Sequence, residues 1–109
     1  MPKDYRVYLD DILEAIEKIE KYTKGMAYEN FVKSDLVIDA VVRNLEIIGE
    51  AVKSLSSEIK RKYTKIEWRK IAGLRDILIH EYSGIDTKIL WDIVSNKIPE
   101  FKKSIKEIE

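Results

Sequence analysis

At 109 residues the chain is one domain, long enough to bury roughly 65% of its unfolded surface around a single core. It has no cysteine, which excludes disulfides and thiolate metal sites, and its 20 Lys and Arg balance 20 Asp and Glu, so any affinity for nucleic acid has to come from local basic clusters. The charged N-terminus shows no signal-peptide pattern and no run approaches 18 apolar residues, so the expectation is a cytoplasmic protein without a membrane segment.

Residues 4–24 place Tyr5, Tyr8, Leu9, Ile12, Leu13, Ile16, Ile19 and Tyr22 at spacings of three and four, the period of an amphipathic helix. Gly25 is positioned to end it, with Lys21 and Lys24 in the last turn where cations suit the helix dipole. Residues 26–33 read as a short connector. Ser34 then caps a second helix with a core stripe of Leu36, Val37, Val41, Leu45, Ile48, Val52 and Leu55. Ile38, Ala40, Val42, Ile47 and Ala51 widen that stripe well beyond 100° of arc, so the helix has to be covered on more than one side or supply interface area. Arg43, Asn44, Gly49 and Glu50 are set into it. An interior glycine costs about 1 kcal/mol relative to alanine, and Gly49 is therefore read as marking a close helix crossing.

Residues 56–63 continue as a polar helical tail. Its Lys60, Arg61 and Lys62, with Lys65, Arg69 and Lys70 beyond, form the densest positive region, which is either a solvated face or a phosphate-binding surface. Thr64 and Glu67 have the spacing of a capping box, with Tyr63 and Trp68 as its hydrophobic staple. A third helix is predicted from there through Ile71, Ala72, Leu74, Ile77 and Leu78 toward His80, ending near Ser83 and Gly84. Asp86 caps a fourth, with Ile85 and Leu90 as staple and Ile89, Leu90, Ile93 and Val94 as its apolar side. Pro99 has no N–H to donate, which predicts a kink or break over residues 96–98, with Phe101, Ile105 and Ile108 carrying a last segment. No strand-like alternation appears. The pattern as a whole predicts an all-α fold, a single up-and-down bundle of four to five antiparallel helices over residues 1–109.

Residues 74–82 read L-R-D-I-L-I-H-E-Y and hold the only histidine of the chain. Arg75 and Tyr82 return to nearly the same face of a helix, while His80 lies about 140° round from Arg75. One uninterrupted helix does not bring all three together: either it loosens near His80, as Gly84 permits, or a second copy of the chain completes the site. Imidazole titrates near neutrality and a guanidinium presents a fork of donors that fits a phosphate. Together they suit cleavage of RNA, in which the 2′-hydroxyl attacks its own phosphorus and needs a base, an acid and a cation for the phosphoryl charge. A two-fold dimer supplies two imidazoles and two guanidiniums across one cleft. Although Asp76, His80 and Glu81 are close in sequence, one histidine per chain is thin for a metal site. There is no G-x-S-x-G elbow or phosphate-cradling glycine loop, and the chemistry needs no cofactor.

The stretch R-D-I-L-I-H-E-Y resembles the Arg, four residues, His, one residue, Tyr signature of the HepT-like toxins, within the wider HEPN group of α-helical ribonuclease domains. The likeness extends to R-N-L-E-I-I-G-E-A at residues 43–51, W-R-K-I-A-G-L-R at 68–75, L-W-D-I-V at 90–94 and I-P-E at 98–100. It implies a homodimeric, metal-independent endoribonuclease, the toxin of a toxin-antitoxin pair. It also implies that Arg75 and His80 are catalytic and that Asp76 is the polar residue directly after the arginine. Tyr82 is then the residue that a partner nucleotidyltransferase antitoxin modifies with AMP, putting bulk and negative charge beside the substrate phosphate. Two alternatives stand beside this one: an inactive HEPN domain that binds RNA or a nucleotidyltransferase, and a purely structural helical bundle.

Overall fold

The computed structural model describes residues 4–81 and 86–108, with His80 and Glu81 described by their backbone alone. Helix α1 spans Tyr5–Thr23 and is capped by Asp4, whose Oδ1 accepts the N–H of Arg6 at 3.0 Å. Gly25 leads the chain away with a φ of +77°, a left-handed conformation that a side chain resists. Leu9, Ile12, Ala15, Ile16 and Ile19 form the buried face of this helix.

The expected connector contains a helix of its own, α2 at Tyr28–Val32. A single turn carries no periodicity to read, and what makes it helical is tertiary burial. Phe31 is wholly buried with its ring centroid 5.0 Å from that of Trp91, and the hydroxyls of Tyr28 and Thr87 lie 3.0 Å apart.

Helix α3, Asp35–Ser54, is the axis of the bundle and packs against α1 and against α5 (Trp68–Glu81). Ser34 caps it as expected, Oγ accepting the N–H of Val37 at 3.3 Å. Its wide apolar arc is thus covered within the protomer, with Val41, Val42, Leu45, Ile48, Ala51 and Val52 buried. Asn44 is buried too, and its Nδ2 donates to the Ala40 carbonyl at 2.8 Å, so the polar group is satisfied by its own helix. Leu36 departs from the predicted stripe and stands 81% exposed, because periodicity gives a helix's face but not where along its length the neighbours end.

The tail at residues 56–63 is not a continuation of α3. Leu55 turns to an extended ψ of 142° and buries its side chain, and Ser56 then caps a separate helix, α4 at Ser57–Lys62, accepting the N–H of Ile59 at 3.4 Å. Helix α5 begins only at Trp68, so Thr64 lies in the preceding turn and the expected capping box does not form. Glu67 instead holds Lys70 at 2.8 Å. Trp68 does reach Tyr63 as expected, although through a hydrogen bond, Nε1 donating to the Tyr63 carbonyl at 3.0 Å.

Asp86 caps α6 (Thr87–Asp92), its Oδ1 accepting the N–H of Lys88 at 2.8 Å. Of the kink or break expected over residues 96–98, the chain shows no break but a local departure from the α-helix. A π-helical turn, Ile93–Lys97, joins α6 to α7 (Ile98–Lys106). A proline ring collides with the carbonyl four residues back, here that of Ser95, and the wider i→i+5 turn makes room for it without ending the helix. The same widening keeps Leu90, Val94 and Ile98 on one buried side, where α-helical spacing would drift by about 40° at each step of four. Ile89 points away and is exposed. Lys102 of α7 meets Glu20 of α1 at 2.8 Å, a hydrogen bond that raises the ammonium above its ordinary pKa. The outcome is the expected all-α bundle, with no strand among the described residues and no helix among them long and apolar enough to cross a membrane.

Candidate active site around Arg75

Arg75 sits in the middle of α5 where that helix crosses α3. A Cβ added to Gly49 would come within 2.5 Å of the Arg75 Cβ, so the close crossing read from the sequence is real and is made at the arginine. The next residue of α3, Glu50, places Oε2 at 2.6 Å from the Arg75 Nε. Nη1 donates to Oδ1 of Asp76 at 3.4 Å, and that carboxylate lies 3.8 Å from the Lys53 ammonium. Charges therefore alternate from Glu50 through Arg75 and Asp76 to Lys53. The arginine side chain keeps 28% of its surface exposed.

Arg75 lines a cleft of ≈ 580 Å³ walled by Tyr8 and Asp11 of α1, by Arg43, Glu46 and Glu50 of α3, and by Ile79 of α5. Arg43 precedes Glu50 by two helical turns and so shares its stripe of α3. It makes no ion pair among the described residues. The cleft thus carries two guanidiniums against three carboxylates, those of Asp11, Glu46 and Glu50.

Helix α5 stays α-helical through Glu81, so there is no loosening at His80, and its Cα direction remains about 140° round from Arg75. The imidazole itself, Tyr82 and Gly84 lie outside the described residues. Asp76 is turned to two cations, Arg75 and Lys53. Among the described residues no three carboxylates or imidazoles are placed so that they could hold a metal ion, and the Glu81 side chain is not among them.

The basic cluster is elsewhere. Lys60, Arg61 and Lys62 belong to α4, with Arg61 Nε donating to the Ser57 carbonyl at 3.4 Å and Lys62 Nζ at 5.6 Å from the centre of the Tyr63 ring. Arg69 is exposed near the start of α5. Lys70 lines a different groove, ≈ 350 Å³ and mostly apolar, whose floor includes Ile71, Leu74, Ile98 and Phe101. Its hydrogen bond to Glu67 raises the ammonium and, first among its causes, lowers the carboxyl. None of these five residues lines the Arg75 cleft. Sequence reading set Arg43 and Glu50 into α3 and into a block that resembles the family, but did not assign them to a cleft; their seven-residue spacing beside Gly49 was the further signal.

A family profile described as ribonuclease HepT-like matches residues 12–108. The chain belongs to the HepT-like family. The match takes in all of α3 and α5, and so Gly49, Glu50 and Arg75 alike. This HepT-like chain is 47% identical over 106 residues to a protein of Caldanaerobacter subterraneus subsp. tengcongensis named "Putative RNase", with 97% of this chain and 95% of that one aligned. It is 42% identical over 108 residues to a "Probable ribonuclease HepT" of Thermococcus cleftensis, covering 99% and 98%. It is 46% identical over 108 residues to a "Gamma-glutamylcyclotransferase and putative RNase" of Methanocaldococcus jannaschii, and spans 49% of that longer protein. No solved structure matches it.

Proposed function

We propose that this HepT-like protein is a metal-independent endoribonuclease, the toxin of a toxin-antitoxin pair, working as a cytoplasmic homodimer. In this reading one protomer's His80 takes the proton of the 2′-hydroxyl as it attacks phosphorus, and the partner's His80 protonates the departing 5′-oxygen. Arg75 stabilises charge on the phosphoryl oxygens. The products are a 2′,3′-cyclic phosphate and a 5′-hydroxyl. A nucleotidyltransferase antitoxin silences the enzyme by placing AMP on Tyr82, and Lys60, Arg61, Lys62, Arg69 and Lys70 are the candidates for holding RNA away from the scissile bond.

The observation that carries this reading is the setting of Arg75: a guanidinium fixed on the wall of an open cleft, on a helix that runs straight on to the chain's only histidine. Family membership supports it.

The test is cleavage of RNA by the purified protein in excess EDTA, with end-group analysis of the products. Activity that persists and leaves cyclic phosphates is the expected outcome, and Arg75→Ala and His80→Ala should each lose about 10²- to 10⁴-fold in rate while keeping their circular dichroism. Loss of activity in EDTA with rescue by Mg²⁺ would redirect attention to Asp76 and Glu81 as ligands. A wild-type protein that binds RNA without cutting it would be the inactive binding domain.

A further inference from the structure

We propose that Glu50 is a positioning residue for Arg75. Resting on the ribonuclease reading above, the proposal is that Glu50 aims the guanidinium at the scissile phosphate without touching the substrate itself.

Two adjacent residues of α3 act on the two ends of one side chain. Gly49 receives the Arg75 stem, since the space a Cβ would fill there is already taken by the arginine's own Cβ. Glu50 meets the head at its Nε corner, 2.6 Å away, while Asp76 engages Nη1 from the other side at 3.4 Å. An arginine on a helix surface normally samples many rotamers, and exposed ion pairs rarely restrict it. Here the stem is pinned by helix contact, the arginine side chain is 28% exposed, and a carboxylate on a different helix, itself 61% exposed, is set against one edge of the fork. A planar guanidinium held by its Nε corner keeps the rest of its donor array in a fixed plane above the cleft. Fixing a reacting group matters in proportion to how sharply rate depends on geometry, and a displacement of about 1 Å can cost a hundredfold.

Glu50 is also the carboxylate of the cleft that a purely solvated reading leaves unexplained. It places negative charge beside the cation that has to receive a phosphate, which opposes substrate binding unless orientation is gained in exchange. The arrangement therefore predicts a specific signature: removal of Glu50 should lower kcat and leave KM nearly unchanged or slightly reduced.

The experiment compares wild type, Glu50→Ala, Glu50→Gln, Arg75→Ala and the double variant Glu50→Ala/Arg75→Ala on a short RNA, with thermal unfolding of each. In parallel, NMR measures solvent exchange of the Arg75 Nε–Hε proton. Expected are a fall in kcat of about 10- to 100-fold for Glu50→Ala, substantial recovery in Glu50→Gln, whose amide oxygen still faces Nε, and a double variant no slower than Arg75→Ala, because Glu50 acts only through Arg75. Nε–Hε exchange should be slow in wild type and fast in Glu50→Ala. Unchanged kcat in Glu50→Ala, a further loss in the double variant, or fast exchange in wild type would each overturn the assignment. A wild-type protein inactive on RNA yet slow in Nε–Hε exchange would instead overturn the ribonuclease reading, with Glu50 still shown to hold the guanidinium.

Discussion

Gly49 and Gly73 are both helix-interior glycines, yet alanine at the two positions should shift stability in opposite directions. Nothing lies within 4 Å of a Cβ built on Gly73, so Gly73→Ala should gain up to about 1 kcal/mol of helix propensity. At Gly49 the same methyl meets the Arg75 Cβ at 2.5 Å, and overpacking of this kind costs about 1–3 kcal/mol, outweighing the propensity gain. Urea unfolding of the two variants checks the sign of each. The role of Gly49 was legible in the sequence because an interior glycine has a cost that something has to offset. That of Glu50 was not, since a glutamate on a charged helix looks the same whether it faces water or a guanidinium. At Tyr82 the prediction concerns regulation: a phenol of pKa about 10 is a poor proton-transfer group at neutral pH, so Tyr82→Phe should cleave RNA nearly as well as wild type. The same variant should escape AMP addition by a nucleotidyltransferase partner. Mass spectrometry that finds AMP on Tyr63 instead, or a Tyr82→Phe protein as inactive as His80→Ala, would count against this.

Two helix starts were readable in advance from their caps, and Ser34 and Asp86 both accept the backbone N–H groups expected of them, while the caps at Asp4 and Ser56 were not read. What escaped were the features decided by tertiary contact. Helix α2 has one turn and is organised by Phe31, which is fully buried against Trp91. Phe31→Ala should accordingly cost about 3–5 kcal/mol, a large part of a domain's stability, and melt α2 first in hydrogen exchange. A variant with wild-type unfolding would show that this segment is not anchored as described. The break at Leu55 and the π-turn before Pro99, which also makes room for the proline ring, have one effect in common. In both, the backbone departs from the α-helix to keep an apolar side chain in the core, and local pattern cannot weigh that gain against the hydrogen bonds given up.

For the molecule as a whole, the proposed dimer would bring two imidazoles and two guanidiniums to one site. Ile77 precedes His80 by three residues, which puts it on the same face of α5, and it is 50% exposed. Ile77→Glu should therefore give a folded monomer in sedimentation that has lost RNA cleavage, and the wild-type dimer should show a bell-shaped pH–rate profile centred near neutrality. A wild-type monomer that still cleaves would end the dimer proposal. The charge inventory of the Arg75 cleft then bears on how RNA is held at all. Binding that neutralises phosphates releases condensed counterions, and each contact steepens the dependence of affinity on salt by about 0.7 on a log–log plot for a single strand. In the proposed dimer, a cleft whose cations among the described residues are Arg43 and Arg75 of each protomer, hemmed by carboxylates, should give a slope no steeper than about −3. A steeper slope that returns to this value when Lys60, Arg61 and Lys62 are replaced by alanine would mean that α4 carries the strand; a shallow slope in the wild type would mean that this HepT-like protein grips RNA locally and holds it almost as well in concentrated salt as in dilute.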